Sequence, residues 1–317
     1  HQALHSLDKM IKGGIYDQVG GGFARYSTDT EWLAPHFEKM LYDNALLIAV
    51  LSEAYQLTKK ERYREVIGET MDFVQREMLH TNHGFYAAID ADSEGVEGKF
   101  YVWQPEEVKE LLGDEASLFC EYYDITERGN WEHSSILRVR KSLDVFAAEK
   151  GMKEEEIKKM LIRGKQILLQ QREKRVRPLL DDKIILGWNA LMNTAASKAF
   201  AATGNERYRQ LALDNMNFIL SAFKTENGFH HTWKDGQAKY PAFLDDLAFL
   251  VEALLHLQEI SGDTAWLTEA KKITEMVQER FREEDTGFFF YTPMGQTDVI
   301  VRKKEVYDSA VPSGNSV

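Results

Sequence analysis

Side chains able to move protons and to grip hydroxyl groups fall in four places along the 317-residue chain. Pro35-His36-Phe37-Glu38-Lys39 leads into Tyr42-Asp43-Asn44, and Asp181-Asp182-Lys183 leads into Trp188-Asn189. Tyr240 precedes Asp245-Asp246, and Tyr307-Asp308 precedes Ser313 and Asn315. Imidazole is the usual proton carrier near neutral pH, and a carboxylate is the usual partner acid or base. Carboxylates also accept hydrogen bonds from hydroxyls, while aromatic rings stack on the apolar faces of sugars. The catalytic candidates are His36, Asp43, Asp245 and Asp246. The substrate-binding candidates are Arg25, Glu38, Tyr42, Asn44, Asp182, Trp188, Asn189, Asp308 and Asn315. Such a set could isomerise a sugar, with a histidine shuttling a proton beside a carbonyl. It could also hydrolyse a glycoside, with two carboxylates flanking the bond. Any single Asp also has a plain reading as a helix cap, worth about 0.5–2 kcal/mol. Recurrence at several helix starts favours a site.

The elements that position these groups repeat. Asn44 to Tyr63 spans 19 positions, as does Asn189 to Tyr208. A third copy runs from Leu244-Asp245-Asp246 to Ser261-Gly262-Asp263-Thr264-Ala265-Trp266. Gly-Phe pairs follow the copies, at Gly84-Phe85, Gly228-Phe229 and Gly287-Phe288, and Gly22-Phe23 precedes the first. Each unit reads as helix, tight turn, helix, Gly-Phe and extended segment. Met40–Leu57 is apolar almost all round, as a helix buried on several sides must be. Arg62–Leu79 has apolar residues at three-four spacing and so covers the first helix from outside. Thr203-Gly204-Asn205 and Ser261-Gly262-Asp263 supply a glycine stop and a cap, whereas Lys60 caps the first copy poorly. The 144 residues between Gly84 and Gly228 must hold a more divergent hairpin, with helices near Glu106–Glu121 and Lys153–Arg175. An outer helix at His1–Ile11 leads, and an inner helix starting near Pro312 trails. Hairpins with an inner and an outer row close into an α/α toroid or wind into a solenoid. Solenoid periods of about 34–47 residues are shorter than this one. The expected fold is therefore an all-α toroid of helical hairpins with short β-hairpins between them, one domain over residues 1–317. Parallel inner helices would bring their N-termini, rich in free N–H donors, to a single mouth.

Composition narrows the partners. The net charge of −12 disfavours nonspecific nucleic-acid binding and anionic membranes. No apolar run is long enough for a membrane helix, and no signal peptide is visible. One cysteine, Cys120, allows no internal disulfide and fits a reducing, cytoplasmic setting. It sits in an apolar stretch as a small hydrophobe. Asp90-Ala91-Asp92-Ser93-Glu94-Gly95 begins like a calcium loop, but its twelfth position is Tyr101 instead of Glu, so no metal is expected. Gly20-Gly21-Gly22 lacks the lysine of a phosphate loop and reads as a turn. The run from Arg172 to Arg177 reads as a solvated helix end. No cofactor is implied, and the expected partner is a small sugar-like molecule.

Two long motifs carry a family resemblance. Gly13-Gly14-Ile15-Tyr16-Asp17-Gln18-Val19-Gly20-Gly21-Gly22-Phe23-Ala24-Arg25-Tyr26-Ser27 is followed by Trp32-Leu33-Ala34-Pro35-His36-Phe37-Glu38-Lys39-Met40-Leu41-Tyr42-Asp43-Asn44. With Gly187-Trp188-Asn189 and Pro312-Ser313-Gly314-Asn315, they resemble the thioredoxin-domain-containing family that includes spermatogenesis-associated proteins and bacterial YyaL-type proteins. The resemblance covers essentially the whole chain. It implies a six-hairpin α/α toroid related in fold to N-acylglucosamine 2-epimerase and the six-hairpin glycosidases. It also implies that an N-terminal thioredoxin-like domain and the final hairpins lie outside these residues. Fold alone does not give function. Besides a sugar hydrolase or isomerase, two readings stay open. One is a sugar- or peptide-binding module serving a thioredoxin-like domain, and the other is a purely structural toroid.

Overall fold

The computed structural model describes residues 1–296 and 299–317. They gather into two compact units, residues 1–40 with 89–180 and residues 41–88 with 181–317. Helix α1 (Gln2–Lys12) opens the first unit. The chain then enters the second for α2 (Leu41–Thr58) and α3 (Glu61–Glu77). It returns to the first for α4 (Pro105–Leu112), α5 (Ala116–Tyr122), α6 (Leu143–Lys150) and α7 (Glu154–Arg172). The second unit is completed by α8 (Leu186–Thr203), α9 (Glu206–Ala222), α10 (Leu244–Ser261) and α11 (Ala265–Arg280).

The second unit is three helical hairpins, α2–α3, α8–α9 and α10–α11, matching the sequence repeat. The apolar helix of each hairpin packs on its counterparts, with α8 flanked by α2 and α10 and backed by α9. Burial on three sides is why α8 carries alanines at 190, 195, 196 and 199 and buries even its small polar residues Asn193, Thr194 and Ser197. The amphipathic partners bury one stripe each, in α3 through Tyr63, Val66, Ile67, Thr70, Phe73 and Val74. Turn chemistry follows the repeat. Gly204 and Gly262 end α8 and α10 in the left-handed region, where glycine pays no steric penalty. Asn205 accepts from the Arg207 N–H and Asp263 from the Ala265 N–H, capping α9 and α11. In the first copy Lys59 takes the left-handed position at φ 56°, and Lys60 contributes no side-chain cap. Between hairpins the chain makes short strands. Gly228–Lys234 pairs with Gln237–Pro241 through an Asp235-Gly236 turn whose residues both have positive φ. The same strand also pairs with Ile184–Ile185, the residues that lead into α8.

The repeated asparagine is a clamp. Phe85 N–H donates to Asn189 Oδ1 at 2.8 Å, and Asn189 Nδ2 donates back to Phe85 O at 3.0 Å. Asn315 does the same with Phe289, at 2.9 and 3.0 Å. A carboxamide mimics a peptide group, so it can satisfy an extended segment that has no full strand partner. The clamp also corrects a register. The third glycine-aromatic pair was expected at Gly287-Phe288, but Phe289 occupies the backbone position of Phe85, one residue later.

The first unit departs further from the repeat. Its core gathers Trp103, Val108, Phe119, Tyr123, Phe146, Ile157, Leu161 and Leu168. The helix expected over Glu106–Glu121 is broken at Gly113, whose φ of 56° is left-handed. A further helix, α6, occupies part of the expected link because Ser142 to Gly151 is bounded by residues that start and stop helices. Residues 312–317 form turns instead of the expected inner helix. Gly20-Gly21-Gly22 makes the expected turn, with Gly21 and Gly22 at positive φ between the bridged Tyr16 and Phe23. Asp92–Ser93 and Val96–Glu97 form a tight hairpin. Cys120 packs against the apolar core, and burial raises its thiol pKa.

Candidate functional site

In the second unit the starts of α2, α8 and α10 lie at one end. The rings of Tyr42 and Trp188 meet edge to face at 4.9 Å. Gly187 N–H donates across to Asp246 Oδ1 at 2.9 Å. Gly314 N–H donates to Asp245 Oδ1 at 2.6 Å. At these helix starts the structure brings Tyr42 to Trp188, Gly187 to Asp246 and Gly314 to Asp245, while Asn189 and Asn315 are engaged by backbone segments. Their roles are not equal. Tyr42 is 3% exposed and serves as wall, while Trp188 keeps part of its surface. Asn44 and Asn189 are fully buried. Asn189 spends its carboxamide on Phe85, on Ile185 O and on Asn215. Asp43 sits half-buried in the first turn of α2. Asp182 pairs with Lys234 on the surface. Asp308 is exposed and accepts from Ser313 N–H and the Ser316 hydroxyl, which lower its pKa.

Asp246 is the best-held group of this end. It is buried, and beyond Gly187 it accepts from Phe243 N–H at 2.9 Å through Oδ2, closing the first turn of its own helix. The same oxygen lies 2.8 Å from Nδ1 of His231. A carboxylate so placed fixes the imidazole with its proton on Nδ1 and leaves Nε2 as the basic nitrogen. His231 stays partly exposed and packs edge-on against Phe243, on whose other contact Tyr291 stacks at 4.8 Å. Burial raises the pKa of the neighbouring Asp245 against the pull of Gly314 N–H, and the charges of Asp246 and Glu305 raise it further. Burial and the same acidic neighbourhood, led by Asp245, also raise the Tyr291 hydroxyl. Asp245 can therefore hold a proton at a higher pH than an ordinary carboxyl. His231 escaped the sequence reading. Its signal was a histidine on the first strand of the hairpin that precedes the Asp245-Asp246 helix start.

The first unit holds the remaining candidates. His36 Nδ1 lies 2.7 Å from Glu97 Oε1, and its Nε2 lies 3.7 Å from Glu38 Oε2. Arg25 pairs with the same Glu38 oxygen at 3.1 Å, and Tyr26 stacks on the imidazole at 5.2 Å. Carboxylates thus stand against both ring nitrogens of His36. The reading of Arg172–Arg177 as solvated is corrected. Glu173, Lys174 and Arg177 are exposed, but Arg172 is 3% exposed and binds Asp17 at 2.9 Å. Lys39 reaches Asp17 at 2.8 Å and lies over the Tyr101 ring. Burial works against the Asp17 carboxylate, but Arg172 and Lys39 overcome it and push the pKa far below the usual range. Arg175 binds Glu107 and lies 4.0 Å from the Trp103 ring centre.

Hairpins of this kind define an α/α toroid protein with the six-hairpin glycosidase-like fold. An unsaturated glucuronyl hydrolase from Bacillus sp. GL1, responsible for the degradation of glycosaminoglycan, shares the fold with a TM-score of 0.54. The likeness covers 91% of this chain and 59% of that one, at 12% identity. No protein-family profile matches the chain. The chain is a homologue of spermatogenesis-associated protein 20, as its motifs suggested. It is 35% identical to the human protein over 99% of its own length, and equally so to the mouse protein. It spans 45% of the length of these relatives. Among the described residues no helix is long and apolar enough to cross a membrane.

Proposed function

We propose that the second unit catalyses proton transfer on a sugar, as an isomerase or epimerase does. The observation that carries this reading is the buried Asp246 carboxylate, held by two backbone N–H groups and set 2.8 Å from His231 Nδ1. His231 Nε2 takes the proton from the carbon beside a carbonyl, and the electron pair passes to the carbonyl oxygen. Asp245, whose carboxyl is raised by burial and by Asp246 and Glu305, is the acid that protonates that oxygen. Asp246 acts through His231 as a positioning residue. Trp188 and Asp43 supply surface and a hydroxyl acceptor at the same helix ends. Hydrolysis is less well served. It needs two free carboxylates about 5–9 Å apart, and both oxygens of Asp246 are already committed. The fold shared with a glycosaminoglycan-degrading hydrolase supports a sugar as the ligand class. The test is incubation in D2O with aldoses, ketoses and N-acylated amino sugars, followed by proton NMR. Loss of the signal beside the carbonyl of one sugar is expected. Tight binding of a sugar with no exchange and no new product would turn the reading into that of a binding module.

A further inference from the structure

A second feature of the same unit lies at the outer helices. An open cavity of about 850 Å³ is lined by Asn82, His83, Asp214, Asn217, Ser221 and Trp233, with Phe218 in its wall. Asp214, Asn217 and Ser221 lie on one face of α9 at three-four spacing, opposite the face that packs on α8. A polar stripe alone would be an ordinary solvated face. Here it faces a partly exposed indole held rigidly, because Phe218 and His80 meet the Trp233 ring at 5.4 and 5.3 Å, nearly perpendicular. The far rim is fixed as well. His83 has a left-handed φ of 68°, its N–H donates to His80 O, and its C=O accepts from Asn215 Nδ2 at 2.9 Å. Asn215 in turn donates to Asn189, so the rim is tied to the buried amide network.

We infer that this cleft is a binding site for a neutral saccharide, separate from the proton-transfer group. Carboxamides, a hydroxyl and a carboxylate offer the mixed donors and acceptors that sugar hydroxyls require, and the indole offers a flat apolar surface. No lysine or arginine is among the described residues of the lining, and Asp214 brings negative charge, so uronates and sugar phosphates are disfavoured. His231 is not among the described residues of the lining, and a cleft of this volume holds more than one sugar ring, so the ligand is an oligosaccharide. The inference shares its ligand class with the proposed function but not its chemistry.

The test is titration calorimetry of the full chain with maltotetraose, cellotetraose and chitotetraose, with tetragalacturonate as the anionic probe. At least one neutral tetrasaccharide is expected to bind. Trp233→Ala and the surface change Asn217→Arg should each weaken it by about tenfold or more, while His231→Gln leaves it within about twofold. Asn217→Arg guards against a fold effect of losing the indole, because Asn217 is exposed. No binding by any neutral tetrasaccharide, preference for tetragalacturonate, or indifference to Asn217→Arg would overturn the inference. Loss of binding in His231→Gln would also overturn it, by placing the sugar at the dyad. Binding that survives in a chain showing no deuterium exchange would sink the proposed activity and leave the cleft standing.

Discussion

Removing the Asn189 side chain should unfasten the second unit. Asn189 is fully buried and supplies both partners of the Phe85 peptide, whose N–H and C=O have no other hydrogen bond among the described residues. It also donates to Ile185 O and accepts from Asn215. Asn189→Ala leaves two buried backbone groups of Phe85 unsatisfied, at about 1–3 kcal/mol each. The expected loss is therefore about 2–6 kcal/mol. For a domain of more than about 150 residues, each kcal/mol lowers Tm by about 2–4 °C, so a fall of at least about 4 °C follows. Asn189→Asp separates the clamp from mere bulk. It keeps the acceptor for Phe85 N–H but turns a carboxylate toward Phe85 O and Ile185 O, so it should destabilise at least as much at neutral pH. Calorimetric melting of both variants measures this. A loss below about 1 kcal/mol in Asn189→Ala, or an Asp variant as stable as the parent, would refute the clamp.

Three further outcomes follow from the charges. Asp17→Asn takes the carboxylate from between buried Lys39 and Arg172 and should cost about 3–5 kcal/mol in urea unfolding at neutral pH. Because the folded Asp17 pKa is lowered, its contribution is complete above the unfolded value near ~3.9 and fades as pH falls below it, so the variant should lose less than the parent in acid. Asp245 is the opposite case. Its folded pKa is raised, so ionisation destabilises the folded chain as pH rises through that range. Asp245→Asn keeps an acceptor for Gly314 and should raise Tm at pH about 7, with the gain disappearing below pH ~4, while lowering any sugar turnover. Gly20→Ala should disturb the same buried ion group as Asp17→Asn, because a Cβ there would collide with Arg172 Nη2. Melting at neutral pH should show it less stable than the parent.

Much of the second unit was legible because its physics is local and periodic. The all-round apolar pattern of α2 and α8, the glycine stops and the Asn205 and Asp263 caps each specify one element without reference to the rest. The first unit was harder, since its helices are short and its order depends on long-range pairing. Arg172 illustrates the missing step. It continues the buried stripe Gly164–Leu168–Arg172 at four-residue spacing, and a charge on a core stripe must find a partner. That partner, Asp17, lies 155 positions away and no local rule points to it. The candidate site was legible as a set of helix starts, not as roles. Asn189 and Asn315 recur because the backbone needs a carboxamide, which sequence alone cannot distinguish from a recurring ligand contact. His231 was hidden because its chemistry comes from Asp246 across a strand and a helix start, and not from its neighbours in sequence.

The central claim is that His231, set by Asp246, moves a proton on a sugar. The most direct test is the rate of deuterium exchange beside the sugar carbonyl in His231→Gln compared with the parent chain, with melting temperature recorded for both. The account predicts exchange lowered by about 10²–10⁴-fold at unchanged fold, the scale of one acid–base group. Exchange in the variant at the parent rate would contradict it and remove His231 from the chemistry.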